Sequence, residues 1–250
     1  MFAITLRDMG IEVRFAKSDH VSDLEALVDG RTKALFLENI GNPAFNIPDY
    51  EPIVEMARRK GICVMVDNTF GMGGYLFRPF EWGANVSIHS ATKWICGHGT
   101  ALGGVVVDGG NFDWTAEKYP LLAAPSESYH GLVYKDVFGP AAFAGRVRVD
   151  GLRNIGPAAS PFNSFLMLQG LEALSLRAER CCANTLAVAE FLEKHPAVES
   201  VNYPGLKSNP YHELGCKYLR NGFGGVLTFR VKGGFEAAAA LVTRLELILH

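Results

Sequence analysis

An amine, a carboxylate, an amide and two hydroxyls stand in three short stretches of this chain: Asn42-Pro43, Asp67-Asn68-Thr69 and Ser90-Ala91-Thr92-Lys93. Each follows a run that reads as a β-strand. Open α/β sheets bind ligands beyond the carboxyl ends of their strands, so the three stretches are placed for a common task. Asp67 comes directly after the apolar run Ile62 to Val66 and is expected to leave the sheet in a poorly solvated place. A carboxylate there is costly unless a cation or several donors meet it. Lys93 is predicted in a further strand-end loop, preceded by the hydroxyls of Ser90 and Thr92. Taken singly, each group has an ordinary use: Lys93 as a solvated lysine, Asp67 as a turn or cap residue, Asn42 as a turn residue before proline.

Taken together, the groups match the needs of pyridoxal 5'-phosphate (PLP). Lys93 supplies the amine of a Schiff base, and Asp67 a carboxylate for the ring nitrogen. Ser90 and Thr92 supply hydroxyls for the phosphate, and Asn42 an amide for the ring's 3' oxygen.

The elements that must position them alternate. Ile11–Phe15 reads as a strand, and Ser22 as the cap of a short helix over Asp23–Val28. Lys33–Leu37 is the next strand, followed by a turn at Gly41-Asn42-Pro43 and a helix from Pro48 to Lys60, stopped by Gly61. Ile62–Val66 is continuously apolar, as a strand covered on both faces is. Val86–His89 and Gly104–Val107 supply two more strands. Alternation of this kind predicts an α/β domain with a mostly parallel sheet. Residues 108 to 160, rich in glycine and proline, read as loops with short helices. One long helical signal runs from Phe165 to Leu192. A smaller α+β unit follows, with strands at Val198–Asn202 and Gly225–Phe229 and a helix at Phe235–Leu245.

With 24 basic and 26 acidic side chains the chain has no electrostatic support for a nucleic-acid partner. Its apolar stretches fall short of the ~20 residues of a membrane-spanning helix. No secretion signal is visible, since Arg7 and Asp8 stand where an apolar segment would be. The cysteines show no disulfide framework spacing and read as reduced thiols of a cytoplasmic protein. Cys96-x-His98 lacks a second ligand pair, so no metal is expected.

The segment Val66-Asp67-Asn68-Thr69-Phe70, with Ser90-Ala91-Thr92-Lys93-Trp94 and Gly97-His98-Gly99, resembles the Cys/Met-metabolism family of PLP enzymes. Glu38-Asn39-Ile40-Gly41-Asn42-Pro43, Tyr129-His130-Gly131 and Asn202-Tyr203-Pro204-Gly205-Leu206 are similar to its O-acetylhomoserine sulfhydrylase branch. The resemblance implies the PLP-dependent transferase fold (aspartate aminotransferase-like, fold type I). It places a partial PLP-binding large domain over residues 1–170 and a partial C-terminal domain over 171–250. It implies a γ-replacement on O-acetyl-L-homoserine by sulfide or a small thiol, giving homocysteine or methionine plus acetate. A cystathionine γ-synthase or methionine γ-lyase type of reaction, or a chain with only a structural role, are the other readings. It also implies a homo-oligomer, a dimer of dimers. Family members extend further at both ends, so the chain is expected to be a fragment lacking the phosphate loop and the carboxylate-binding arginine.

Overall fold

The computed structural model describes residues 1–247. After helix α1 (Val21–Glu25), strands β1 (Ala34–Glu38), β2 (Cys63–Asp67), β3 (Val86–Ser90) and β4 (Gly104–Asp108) form one sheet in the order β1-β2-β3-β4. Helix α2 (Tyr50–Arg59) connects β1 to β2. β1 and β2 are parallel with Glu38 opposite Asp67, and β2 and β3 are parallel with Asp67 opposite Ile88. β4 returns antiparallel along β3. The sheet is thus α/β and mostly parallel, as the alternation predicts, and the apolar run lies at its centre as β2.

α2 buries Tyr50, Ile53, Val54, Met56 and Ala57, one stripe at helical spacing. Gly61, with φ at +59°, ends it in the left-handed conformation that glycine adopts without strain. The helix begins at Tyr50 rather than Pro48. Asp49, at its N-cap, directs its carboxylate to Tyr218 and Lys217 instead of to the helix amides. Tyr50 meets Phe77 at 4.8 Å and Tyr218 at 5.3 Å between ring centres, and Trp82 meets Tyr218 at 4.7 Å. Ala178, Cys182 and Tyr218 therefore share a core with Leu35, Val64 and Val66 of the sheet. Another core, with Cys63, Val86, Trp114 and Leu122, anchors the segment that follows β4.

That segment holds the short helices α3 (Pro120–Ala123), α4 (Tyr134–Phe138) and α5 (Ala142–Arg146) among loops. The single long helix expected from the periodicity is two helices, α6 (Pro161–Glu172) and α7 (Leu174–Glu193), broken at Ala173, whose φ of −103° and ψ of 7° leave the helical region. Ser160 caps α6 by accepting the Phe162 N–H at 3.2 Å. β5 (Val198–Asn202) pairs antiparallel with β6 (Thr228–Val231), and α8 (His212–Tyr218) and α9 (Gly234–Thr243) complete the smaller unit. Its last residues, 248–250, lie outside the described residues.

Three further expectations are corrected. Ile11–Phe15 is not a strand: no ladder pairs it among the described residues, and Phe15 stays exposed. Arg14 holds the segment down instead, bonding the Leu27 carbonyl and Asp29 at 2.8 Å each. Ser22 lies inside α1, whose cap position is His20. β6 starts at Thr228 because Gly225 is pressed against Trp94, where a Cβ would come within 2.5 Å of the indole.

If α8 shares the sheet's core, Tyr218→Ala removes a fully buried aromatic side chain. It should cost about 3–5 kcal/mol of unfolding free energy in urea denaturation. A loss under about 1 kcal/mol would mean that the C-terminal unit contributes little to that core.

Candidate active site

Parallel pairing brings the carboxyl ends of β1, β2 and β3 to one edge of the sheet, and a cavity of about 910 Å³ opens there. Asn42, Asp67, Ser90 and Lys93 all line it. Four of the five residues singled out in the sequence therefore face one space, which has room for a cofactor and a small substrate.

Asp67 ends β2 half-buried. Its Oδ1 accepts the Thr69 N–H at 2.9 Å, which fixes the carboxylate. The Thr69 hydroxyl accepts the Ser90 N–H at 2.9 Å and ties the ends of β2 and β3 together. Lys93 follows on a tight turn: its N–H donates to the Ser90 carbonyl at 3.2 Å, and its own carbonyl accepts the Gly97 N–H at 2.7 Å. Gly97, with φ at +75°, closes that turn. Among the described residues, neither Lys93 nor Asp67 makes an ion pair.

Thr92 is the expected residue that does not line the cavity. Its hydroxyl accepts the Gly103 N–H at 3.0 Å and donates to the Gly103 carbonyl at 3.2 Å. It fastens the Lys93 turn to the start of β4, leaving Ser90, with Thr69, as the hydroxyls at the cavity wall.

Sequence reasoning missed Glu38 and Arg177. Glu38 ends β1 opposite Asp67 and lines the same cavity, accepting the Asn42 N–H at 3.1 Å. The strand-end rule that singles out Asp67 applies equally to Glu38. Burial pushes its carboxyl up, the Asn42 bond opposes this, and the charge of Asp67 adds to the rise. Arg177 and Arg180 come from α7 and carry no local signal. The cavity wall thus sets three cations, Lys93, Arg177 and Arg180, against two carboxylates, a balance suited to an anionic ligand. Buried behind Ser90, His89 bonds Ser87 at 3.1 Å, and burial pushes its imidazole down against the opposing pull of Asp67.

This donor set fits PLP: an amine without an ion partner, a fixed carboxylate at the next strand end, a hydroxyl and an amide share one cavity. The fold is the α/β, fold type I fold of PLP-dependent enzymes. The chain belongs to the Cys/Met metabolism PLP-dependent enzyme family, whose family model matches residues 1–250.

The chain is 54% identical over 233 residues to the homocysteine/cysteine synthase of Kluyveromyces lactis, which covers 92% of this chain and 52% of that protein. It is 51% identical to O-acetyl-L-homoserine sulfhydrylase 1 of Thermus thermophilus over 250 residues, 100% of this chain and 59% of that one. A solved O-acetylhomoserine (thiol)-lyase from Campylobacter jejuni, carrying N'-pyridoxyl-lysine-5'-monophosphate, superposes with a TM-score of 0.94 at 37% identity. It covers 99% of this chain and 62% of that one. The chain thus spans little more than half the length of these curated relatives.

Because the folded state raises the Glu38 pKa, native protein binds more protons than unfolded chain over that titration, and stability falls as pH rises through it. Glu38→Gln should therefore raise the melting temperature at pH 7, and the gain should vanish below about pH 4. A lower melting temperature at pH 7 would contradict the assigned desolvation.

Proposed function

We propose that this chain binds PLP through Lys93 and serves γ-replacement on O-acetyl-L-homoserine, in which sulfide or a small thiol displaces acetate to give homocysteine or methionine. The observation that carries the reading is the convergence of Lys93 and Asp67, both without ion partners among the described residues, on one cavity at adjoining strand ends. The likeness to a homocysteine/cysteine synthase and to an O-acetyl-L-homoserine sulfhydrylase supports the choice of reaction.

When bound, PLP supplies an electron sink for the pair left at the substrate's α-carbon. Lys93 is the covalent anchor and, when its amine is free, the base that takes the α-proton and returns it. Asp67 holds a proton on the ring nitrogen, a task for which a carboxylate already fixed by Thr69 needs no reorganisation. Asn42 orients the ring through its side-chain amide, Ser90 donates a hydroxyl to the phosphate, and Thr92 keeps the Lys93 turn in place through Gly103. Arg177 and Arg180 give the cavity the positive potential that draws in an amino acid with an anionic carboxylate.

The chain is proposed to act in the cytoplasm, as its five free cysteines support. No helix among the described residues is long and apolar enough to cross a membrane. It is further proposed to act as a homo-oligomer, which the exposed Phe162, Phe165 and Leu168 of α6 support.

The test is homocysteine formation from O-acetylhomoserine and sulfide in the presence of PLP, by a version of the chain extended to the length of its relatives. Lys93→Ala should lower turnover by roughly 10²–10⁴-fold, the range of a lost general base. Asp67→Asn should leave PLP bound but lower turnover about 10–10²-fold, the worth of one charge-assisted hydrogen bond. Turnover that survives Lys93→Ala unchanged would overturn the reading.

A further inference from the structure

We infer that Arg177 is a positioning residue for Lys93, an inference that rests on the cofactor reading above. Lys93 hangs from a turn closed by three backbone hydrogen bonds, Lys93 N–H to the Ser90 carbonyl at 3.2 Å, Cys96 N–H to the Ala91 carbonyl at 2.8 Å and Gly97 N–H to the Lys93 carbonyl at 2.7 Å. Those bonds fix the turn's shape, and the Thr92–Gly103 bonds tie its start to β4. Its far side is placed from across the cavity, from α7. One terminal nitrogen of Arg177, Nη2, donates to the Trp94 carbonyl at 3.0 Å and to the Gly170 carbonyl at 2.8 Å. Its two N–H groups can make both bonds at once.

Gly170 lies in the last turn of α6, where helix carbonyls lack partners within the helix. A guanidinium there satisfies one of them and complements the negative end of the helix. The same nitrogen ties that helix end to the residue next to Lys93.

Two glycines make the approach possible. A Cβ on Gly97 would lie 2.3 Å from the guanidinium carbon, so the flat face of Arg177 rests on the turn itself. A Cβ on Gly170 would lie 2.1 Å from the Cys96 carbonyl oxygen, so α6 touches the turn from its own side. The Arg177 Nε is buried without a hydrogen-bond partner. The position of the guanidinium is therefore set by the Trp94 and Gly170 carbonyls. A lysine side chain has four rotatable bonds, and reacting groups must be held to roughly 0.5 Å, so the backbone that carries Lys93 has to be immobile. Arg177 supplies that immobility.

The experiment compares the 250-residue chain with Arg177→Met and Arg177→Lys by amide hydrogen exchange and by PLP titration followed through its visible absorbance. Arg177→Met should speed exchange of the Cys96 and Gly97 amides about tenfold or more, the scale of a lost charge-assisted hydrogen bond, while β2 amides keep their protection. PLP affinity should fall by a similar factor. The pH midpoint of the absorbance should also move, since it reports the surroundings of the bound cofactor rather than folding. Arg177→Lys keeps the charge but not the flat face and should fall between parent and Met, which keeps the test available if the Met variant does not fold.

Unchanged exchange over residues 91–98 would overturn the clamp. Faster exchange with parent-like PLP affinity and pH midpoint would overturn the positioning role and leave the cofactor reading intact. A parent chain that takes up no PLP would overturn the cofactor reading and the positioning role together, and exchange would then report a purely structural contact.

Discussion

The parallel pairing of β1, β2 and β3 is the constraint on which the rest depends. In a parallel ladder every strand ends at the same edge, so Glu38, Asp67 and Ser90 emerge side by side without any loop having to bring them there. The register sets Glu38 directly across from Asp67. The crossover through α2 makes the pairing possible, and the apolar stripe of α2, whose Tyr50 packs against Tyr218 of α8, holds the crossover on the sheet. One core therefore decides both whether the chain folds and where its reactive groups stand.

That placement has an electrostatic cost. Two carboxylates face one cavity, and the structure raises the proton affinity of Glu38 rather than pairing it with a cation. Arg177 is spent on backbone carbonyls, with its Nε left buried and unpartnered. Among the described residues, Lys93 and Asp67 likewise make no ion pair. Charged groups gathered without neutralising one another are less stable than paired ones would be, a pattern found at functional sites.

How much of this was legible in the sequence follows from how local each signal is. The continuous apolar run of β2 marked a central strand, and Asp67 after it marked the cavity edge, because both depend only on neighbours in the chain. Lys93 and Ser90 were legible for the same reason, and the family resemblance drew on the same stretches. Thr92 shared their motif, but its hydroxyl is claimed by Gly103, a contact that spacing does not reveal. The strand expected at Ile11–Phe15 has the right alternation and no ladder partner among the described residues, since pairing is a property of the sheet and not of the segment. Arg177 was invisible because its role is set by tertiary approach: Gly97 and Gly170, far apart in sequence, leave the space it fills. The break at Ala173 likewise has no proline or glycine at that position to announce it.

The central claim is that these strand ends assemble a PLP site with Lys93 as its covalent anchor. Reduction of the chain with borohydride in the presence of PLP, followed by peptide mapping, tests it most directly. The account predicts one phosphopyridoxyl group per chain, on the peptide that contains Lys93, and loss of that stoichiometric label in Lys93→Ala. Label spread over surface lysines such as Lys60 and Lys207, with no preference for Lys93, would contradict it.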